Sequence, residues 1–170
     1  MDLIVAVDRN WGIGKGNDLL YHIPEDMKFF RRMTLGKTVI CGKNTLLSFP
    51  GGKPLPDRHH LVLTHSDMEE NENLTVFHSI EALLEYLKSE NKKDVFVIGG
   101  GSVYRQLYSL CERAYVTRID ADTIQADVFF PDLSQDPAFD LEDEGEIQIS
   151  KNGLRYSFLV YKNNAVKDEK

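Results

Sequence analysis

The chain has 170 residues, a net charge of −7 and a hydrophobic share of 42%. Those figures suit one domain with a full core, and an acidic balance is a poor match for the phosphate backbone of nucleic acid. No apolar run approaches the ~20 residues of a membrane span, no basic region precedes the N-terminal apolar run, and Cys41 and Cys111 read as buried free thiols, so a cytoplasmic protein is expected.

LIVAV (3–7) is an unbroken apolar run, as in a strand buried on both faces. Residues 9–24, RNWGIGKGNDLLYHIP, read as one long loop with glycines at 12, 14 and 16, a length that goes with lids. A helix is predicted over about 25–34, with Pro24 suited to its first position. Glu25 and Asp26 suit the positive end of the helix dipole. Yet helical spacing sets Asp26 beside Phe29, Phe30 and Met33, on a face that should be buried. Position alone favours a solvated first-turn acid. The other reading is a carboxylate kept in an apolar pocket because it pairs with a cationic or amide-like ligand.

KTVICG (37–42) is a second buried strand and 43–49 a short helical segment; RHHLVLT (58–64) and LTVFH (74–78) are further strands. Ser79 is a candidate N-cap for a helix with Ile80, Leu83, Leu84 and Leu87 on one face. DVFVIGGG (94–101) is a strand running into glycines, and Ser102 to Cys111 reads as a helix. RAYVTRIDA (113–121) is a strand, and IQIS (147–150) with LRYSFLVYK (154–162) flanks an Asn152-Gly153 turn, a hairpin signal. A single domain is expected over 1–163, with 164–170 as a flexible tail. The alternation of strand and helix with an antiparallel ending points to an α/β protein with a mostly parallel sheet. Ligands of such sheets bind beyond the carboxyl ends of the strands.

The strand ends carry the chemistry. In VIGGGSVY (97–104) three glycines between strand and helix let backbone N–H groups approach an anion. The run lacks the last glycine of G-x-G-x-x-G and the Lys-Ser/Thr of a P-loop. Gly42 with Lys43 and Thr45, and Thr64 with His65 and Ser66, repeat the pattern at two other strand ends. Together they suit an extended ligand with several phosphates, such as a dinucleotide, with Lys43 and His65 placed for an extra 2′-phosphate. Arg58, behind a Pro-containing turn, is either a carboxylate clamp or a solvated arginine. His59 and His60 point to opposite faces of a strand, and no metal-ligand spacing exists, so no metal is predicted.

The segments LIVAVDRNWGIG, LLYHIPEDMKFFRRMTLGK, VICGKNTLLSF, KPLPDRHHLVLT, VFVIGGGSVYRQL, AYVTRIDA and ADVFFPD follow one another in this order. With them the chain resembles the dihydrofolate reductases over essentially its whole length. The resemblance implies a mainly parallel eight-stranded twisted sheet with an antiparallel C-terminal strand and about four flanking helices. It implies reduction of dihydrofolate by hydride transfer from NADPH to C6, with protonation at N5, by a monomer open to antifolate inhibitors. Asp26 falls on the family's pocket carboxylate, Thr117 on the threonine that supports it, and Tyr21 where most members have tryptophan; these are the catalytic candidates.

Ile4, Val5, Ala6, Leu19, Met27, Phe30, Phe49, Leu55, Ile98 and Tyr104 match the substrate walls, and Arg58 matches the arginine that grips the glutamate tail. The cofactor positions are Ala6, Ile13, Gly14, Gly42, Lys43, Asn44, Thr45, Leu63, Thr64, His65, Gly99, Gly100, Gly101, Ser102, Val103, Tyr104 and Gln106. Gly99-Gly100 falls on a cis bond of the family, residues 9–24 on its mobile lid, and Asp127 on a residue that ties a later loop to that lid. Leu20 replaces a common proline, and Lys43 and Ser102 replace frequent arginines. Two alternatives are another pterin or pyrimidine reductase of the same fold and a non-catalytic nucleotide-binding module.

Overall fold

The unbroken apolar runs form the interior of one sheet in the computed structural model, which describes residues 1–15, 18–122 and 125–167. Gly16 of the expected lid and the last three residues of the expected tail lie outside the described residues. Strand β1 (Asp2–Val7) is followed by β2 (Gly12–Lys15), β3 (Asp18–Leu19) and helix α1 (Pro24–Thr34). Next come β4 (Thr38–Gly42), α2 (Lys43–Leu47), β5 (His59–Leu63), β6 (Leu74–Phe77), α3 (Ile80–Leu87), β7 (Val95–Gly99) and α4 (Gly101–Leu107). The chain continues with β8 (Arg113–Ile119), β9 (Val128–Phe129), β10 (Phe139–Glu144), β11 (Gln148–Ile149) and β12 (Arg155–Asn163).

The main sheet runs β10-β12-β8-β1-β7-β4-β5-β6, with β11 added on β12. From β8 to β6 every pairing is parallel, and β12 lies antiparallel between β8 and β10. The expected mainly parallel sheet with an antiparallel C-terminal strand is what forms. Alternation along β1 divides the core. Leu3, Val5 and Val7 pack with Leu83 and Leu87 of α3 and Val103 and Leu107 of α4. Ile4 packs on the other face with Leu46 of α2 and Phe29, Phe30 and Met33 of α1. The α1 side of the sheet is therefore where Asp26 meets the strands. Both cysteines are free and buried, and among the described residues no helix is long and apolar enough to cross a membrane.

Several expectations need correction. Residues 9–24 are not one plain loop: β2 pairs with β3 and with β9, through Gly12↔Phe129 and Gly14↔Val128. The backbone of this segment finds its partners in a strand over a hundred residues away, which local pattern cannot register. The helix expected from Ser102 to Cys111 ends at Leu107, and Tyr108–Leu110 tighten into a 3-10 turn. The segment expected at 43–49 is helical to Leu47, just ahead of Pro50. The sequence pattern also passes over β10, FDLEDE, a charged edge strand with only Phe139 buried. At the other end of β12, Asn163 is buried, and Asn164 donates its N–H to Ala138 O at 2.8 Å.

Gly101 packs against β9 so closely that an added Cβ would lie 2.5 Å from Val128 Cγ1. Gly101→Ala must push β9 and its partner strand β2. It is expected to lower stability by about 1–3 kcal/mol, seen as a lower urea midpoint at unchanged slope.

Candidate active site

Helix α1 begins without a side-chain cap at Ile23. Its first turn is fastened from outside instead. Glu25 accepts from Ser150 Oγ at 2.8 Å and from Lys151 N at 3.0 Å, while Asn152 Nδ2 donates to His22 O at 2.9 Å. The Glu25 backbone N–H and the Ser150 hydroxyl hold the Glu25 carboxyl below its usual range. The β11–β12 hairpin thus clamps the start of the helix that carries Asp26.

Thr117 of β8 is 1% exposed, and its Oγ1 donates to Asp26 Oδ1 at 2.6 Å. Register places Thr117 between Ala6 of β1 and Phe158 of β12, and Phe158 lies 4.6 Å from the Phe29 ring. Burial pushes the Asp26 carboxyl above the ordinary aspartate value, and the Thr117 bond opposes that rise. Asp26 is therefore half-buried and hydrogen-bonded, not a freely solvated first-turn acid.

The α1 side of the sheet carries an apolar cluster. Ile4, Ile98, Phe30 and Phe49 belong to one cluster, and the Tyr104 hydroxyl donates to Ile4 O at 2.6 Å. Met27 and Leu19 stay about half exposed. The Val5 side chain is buried in the layer under α3 and α4, so that side chain is not brought to this cleft. Leu55 N–H donates to His60 Nε2 at 3.1 Å, and burial pushes this histidine's pKa down, which suits an accepting neutral ring. Phe49 meets the same ring at 6.0 Å.

Arg58 is 7% exposed, which removes the solvated reading. Its Nε donates to Thr34 Oγ1 at 2.9 Å and its Nη1 to Pro56 O at 3.1 Å, over the Phe30 ring at 5.9 Å. Thr34 in turn donates to Phe30 O at 2.8 Å. A guanidinium held this way keeps a fixed edge for a carboxylate.

On the far side of the sheet edge, Gly42 pairs with Leu63, and Cys41 with Gly99, so three strands end together. The Gly99-Gly100 peptide is cis, as the resemblance implies. A Cβ on Gly100 would sit 3.3 Å from Thr45 Oγ1, and one on Gly42 3.4 Å from Val103 Cγ2. Thr64 Oγ1 accepts from Ser66 N at 3.1 Å, and Ser102 O and Oγ accept from Gln106 Nε2 at 3.2 and 3.1 Å. Lys43 is half-buried, whereas Asn44, His65 and Ser102 are exposed. Ile13 and Gly14 are buried on β2 near the end of β1. Sequence reasoning missed the Glu25–Ser150 tie, which spans 125 residues and has no local signal.

A family model described as dihydrofolate reductase matches residues 1–163 of the chain. The dihydrofolate reductase of Bacillus subtilis (strain 168) is 33% identical over 161 residues, covering 95% of this chain and 93% of that protein. That of Staphylococcus haemolyticus is 34% identical over 161 residues, covering 95% and 94%. The dihydrofolate reductase of Neisseria meningitidis serogroup B is 34% identical over 159 residues, covering 94% and 95%.

An acid whose folded-state pKa lies above its unfolded value holds its proton more tightly when folded. Stability therefore falls as pH rises from the ordinary aspartate range through the raised value, and stays lower above it. Asp26→Asn lacks that loss. It is expected to melt a few degrees above the wild type at pH 7, and the gap should close below about pH 3.8, the ordinary aspartate value. Calorimetry across pH measures both.

Proposed function

The chain belongs to the dihydrofolate reductase family, and we propose that Asp26 with Thr117 holds the pterin while Arg58 holds the substrate's carboxylate tail. The protein is an NADPH-dependent oxidoreductase that reduces 7,8-dihydrofolate to 5,6,7,8-tetrahydrofolate for one-carbon metabolism. The observation that carries the site assignment is the 2.6 Å bond from Thr117 to a carboxylate whose burial opposes its charge. Thr117 uses one lone pair of Oδ1, so the two carboxylate oxygens together can still accept from the ring N–H and the 2-amino group of the pterin. Negative charge at that end of the ring raises the basicity of N5.

The cofactor positions fit a ligand whose phosphates approach the backbone. The space a Cβ would fill at Gly100 and Gly42 is bounded by Thr45 and Val103, and Lys43, Thr64, His65 and Ser102 follow the ends of the three strands β4, β5 and β7. When bound there, NADPH supplies the hydride that C6 of the dihydropterin receives. Ala6, Ile13, Leu19 and Tyr21 line one small cavity, which this reading assigns to the reacting end of the cleft. Burial, then the charges of Asp8 and Asp122, push the Tyr21 hydroxyl above its usual value, which keeps it a proton donor. Arg58 offers the free edge of a fixed guanidinium to a carboxylate, a feature that a tail-less pterin would not use. Two free buried thiols fit a reducing compartment. The reading is of a cytoplasmic monomer with its catalytic domain at 1–163.

Purified protein should oxidise NADPH, followed at 340 nm, only when dihydrofolate is present. Tight NADPH binding without turnover would favour the nucleotide-binding module instead. Asp26→Asn should lower kcat/KM at pH 7 by about a hundredfold or more. Arg58→Ala should raise KM for dihydrofolate by about tenfold or more and leave a tail-less dihydropterin unchanged. Equal losses on both substrates would count against the tail assignment.

A further inference from the structure

Asp8 follows β1 directly and is 2% exposed. Its Oδ1 accepts the N–H groups of Asn10 at 2.9 Å and Gly12 at 2.8 Å. The main chain closes the same turn, Asp8 N to Gly12 O at 3.0 Å and Trp11 N to Asp8 O at 3.1 Å, with Trp11 at φ 61°. One carboxylate oxygen therefore builds the root of the lid. The other, Oδ2, is buried and has no hydrogen-bond partner among the described residues. A buried carboxylate oxygen without a donor is costly.

A cavity of about 10 Å³ adjoins it, lined by Ala6, Asp8, Gly12, Leu19, Tyr21 and Ile119 among others. That is room for one water, and a water needs at least two polar partners. The polar side chains on this lining are Asp8 and Tyr21. The neighbouring acid, Asp122, is half exposed and ion-paired to Arg9 Nη1 at 3.1 Å. Gly12 admits the arrangement because a Cβ there would lie 2.9 Å from Asp8 Oδ2 and from Ala126 Cβ.

We propose that Asp8 is a positioning residue for the reduction, whose Oδ2 shares one ordered water with the Tyr21 hydroxyl between the lid root and the pterin. The water orients the Tyr21 O–H and ties it to the turn from which the lid starts. Asp8 itself does not touch the substrate. This rests on the dihydrofolate reading of the site.

The test is a double-mutant cycle with a crystal structure. Asp8→Asn keeps an oxygen for the Asn10 and Gly12 N–H groups and replaces Oδ2 by a donor. It should lower kcat about tenfold while KM for dihydrofolate and NADPH stays within about twofold. Tyr21→Phe should lower kcat similarly, and the double variant should be no slower than the slower single. Multiplying losses, or wild-type kcat in Asp8→Asn, would overturn the proposal. The wild-type enzyme crystallised with NADPH and folate should show a water within hydrogen-bond reach of Asp8 Oδ2 and Tyr21 Oη, absent in Tyr21→Phe. A dry cavity, or a direct Asp8–Tyr21 bond, would overturn it even if Asp8→Asn fails to fold. The crystallographic result does not depend on turnover, so an inactive wild type would sink the dihydrofolate reading and leave this question separately decided.

Discussion

The hydrogen bond from Thr117 to Asp26 joins β8 to α1 across 91 residues, and the site is organised around it. A carboxylate in an apolar cleft is an unfavourable thing to fold, because burial opposes its charge. The chain answers with one donor held rigidly in the sheet interior and with a helix that cannot drift. The Glu25 clamp to the β11–β12 hairpin fixes the helix start. The Phe29–Phe158 contact and the Thr34–Arg58 bond fix its inner face and its end. Four separate contacts therefore set where one pair of oxygens stands, and catalysis gains from such preorganisation.

The same economy of placement governs the other half of the cleft. Parallel strands leave their carboxyl ends along one edge, so residues distant in sequence become neighbours without any dedicated loop. Gly42, Leu63 and Gly99 meet in this way. Close packing of Thr45 against Gly100 and of Val103 against Gly42 keeps the backbone accessible there, and larger side chains would fill the space. Tyr104 links the two halves: its ring packs on Gly99 and its hydroxyl bonds Ile4 O.

How much of this was legible depends on the range of the force involved. Unbroken apolar runs such as LIVAV announce strands buried on both faces, since the composition alone requires cover on each side. The Ser79 cap was readable because its partner, Ala82 N, is three residues away. The lid strands were not, because β2 pairs with β9 through backbone bonds that leave no side-chain signature. Strand β10 was hidden because an edge strand needs no apolar face. Val5 shows a different limit: the resemblance names the position, but strand alternation turns its side chain to the opposite layer.

The sequence by itself determined the α/β class and, through its ordered motifs, the family and its reaction. Those follow from periodicity, glycine placement and residue type, which are local properties. It left Asp26 and Arg58 each with two readings, because burial is a sum over neighbours from many segments. Only the tertiary structure decided that Asp26 is largely buried and bonded to Thr117 and that Arg58 is fixed by Thr34 and Pro56. Only it set Asp8 and Tyr21 on one small cavity. The physical reason is common to all three: a charged side chain's environment is made by chain segments that meet only once the sheet has formed.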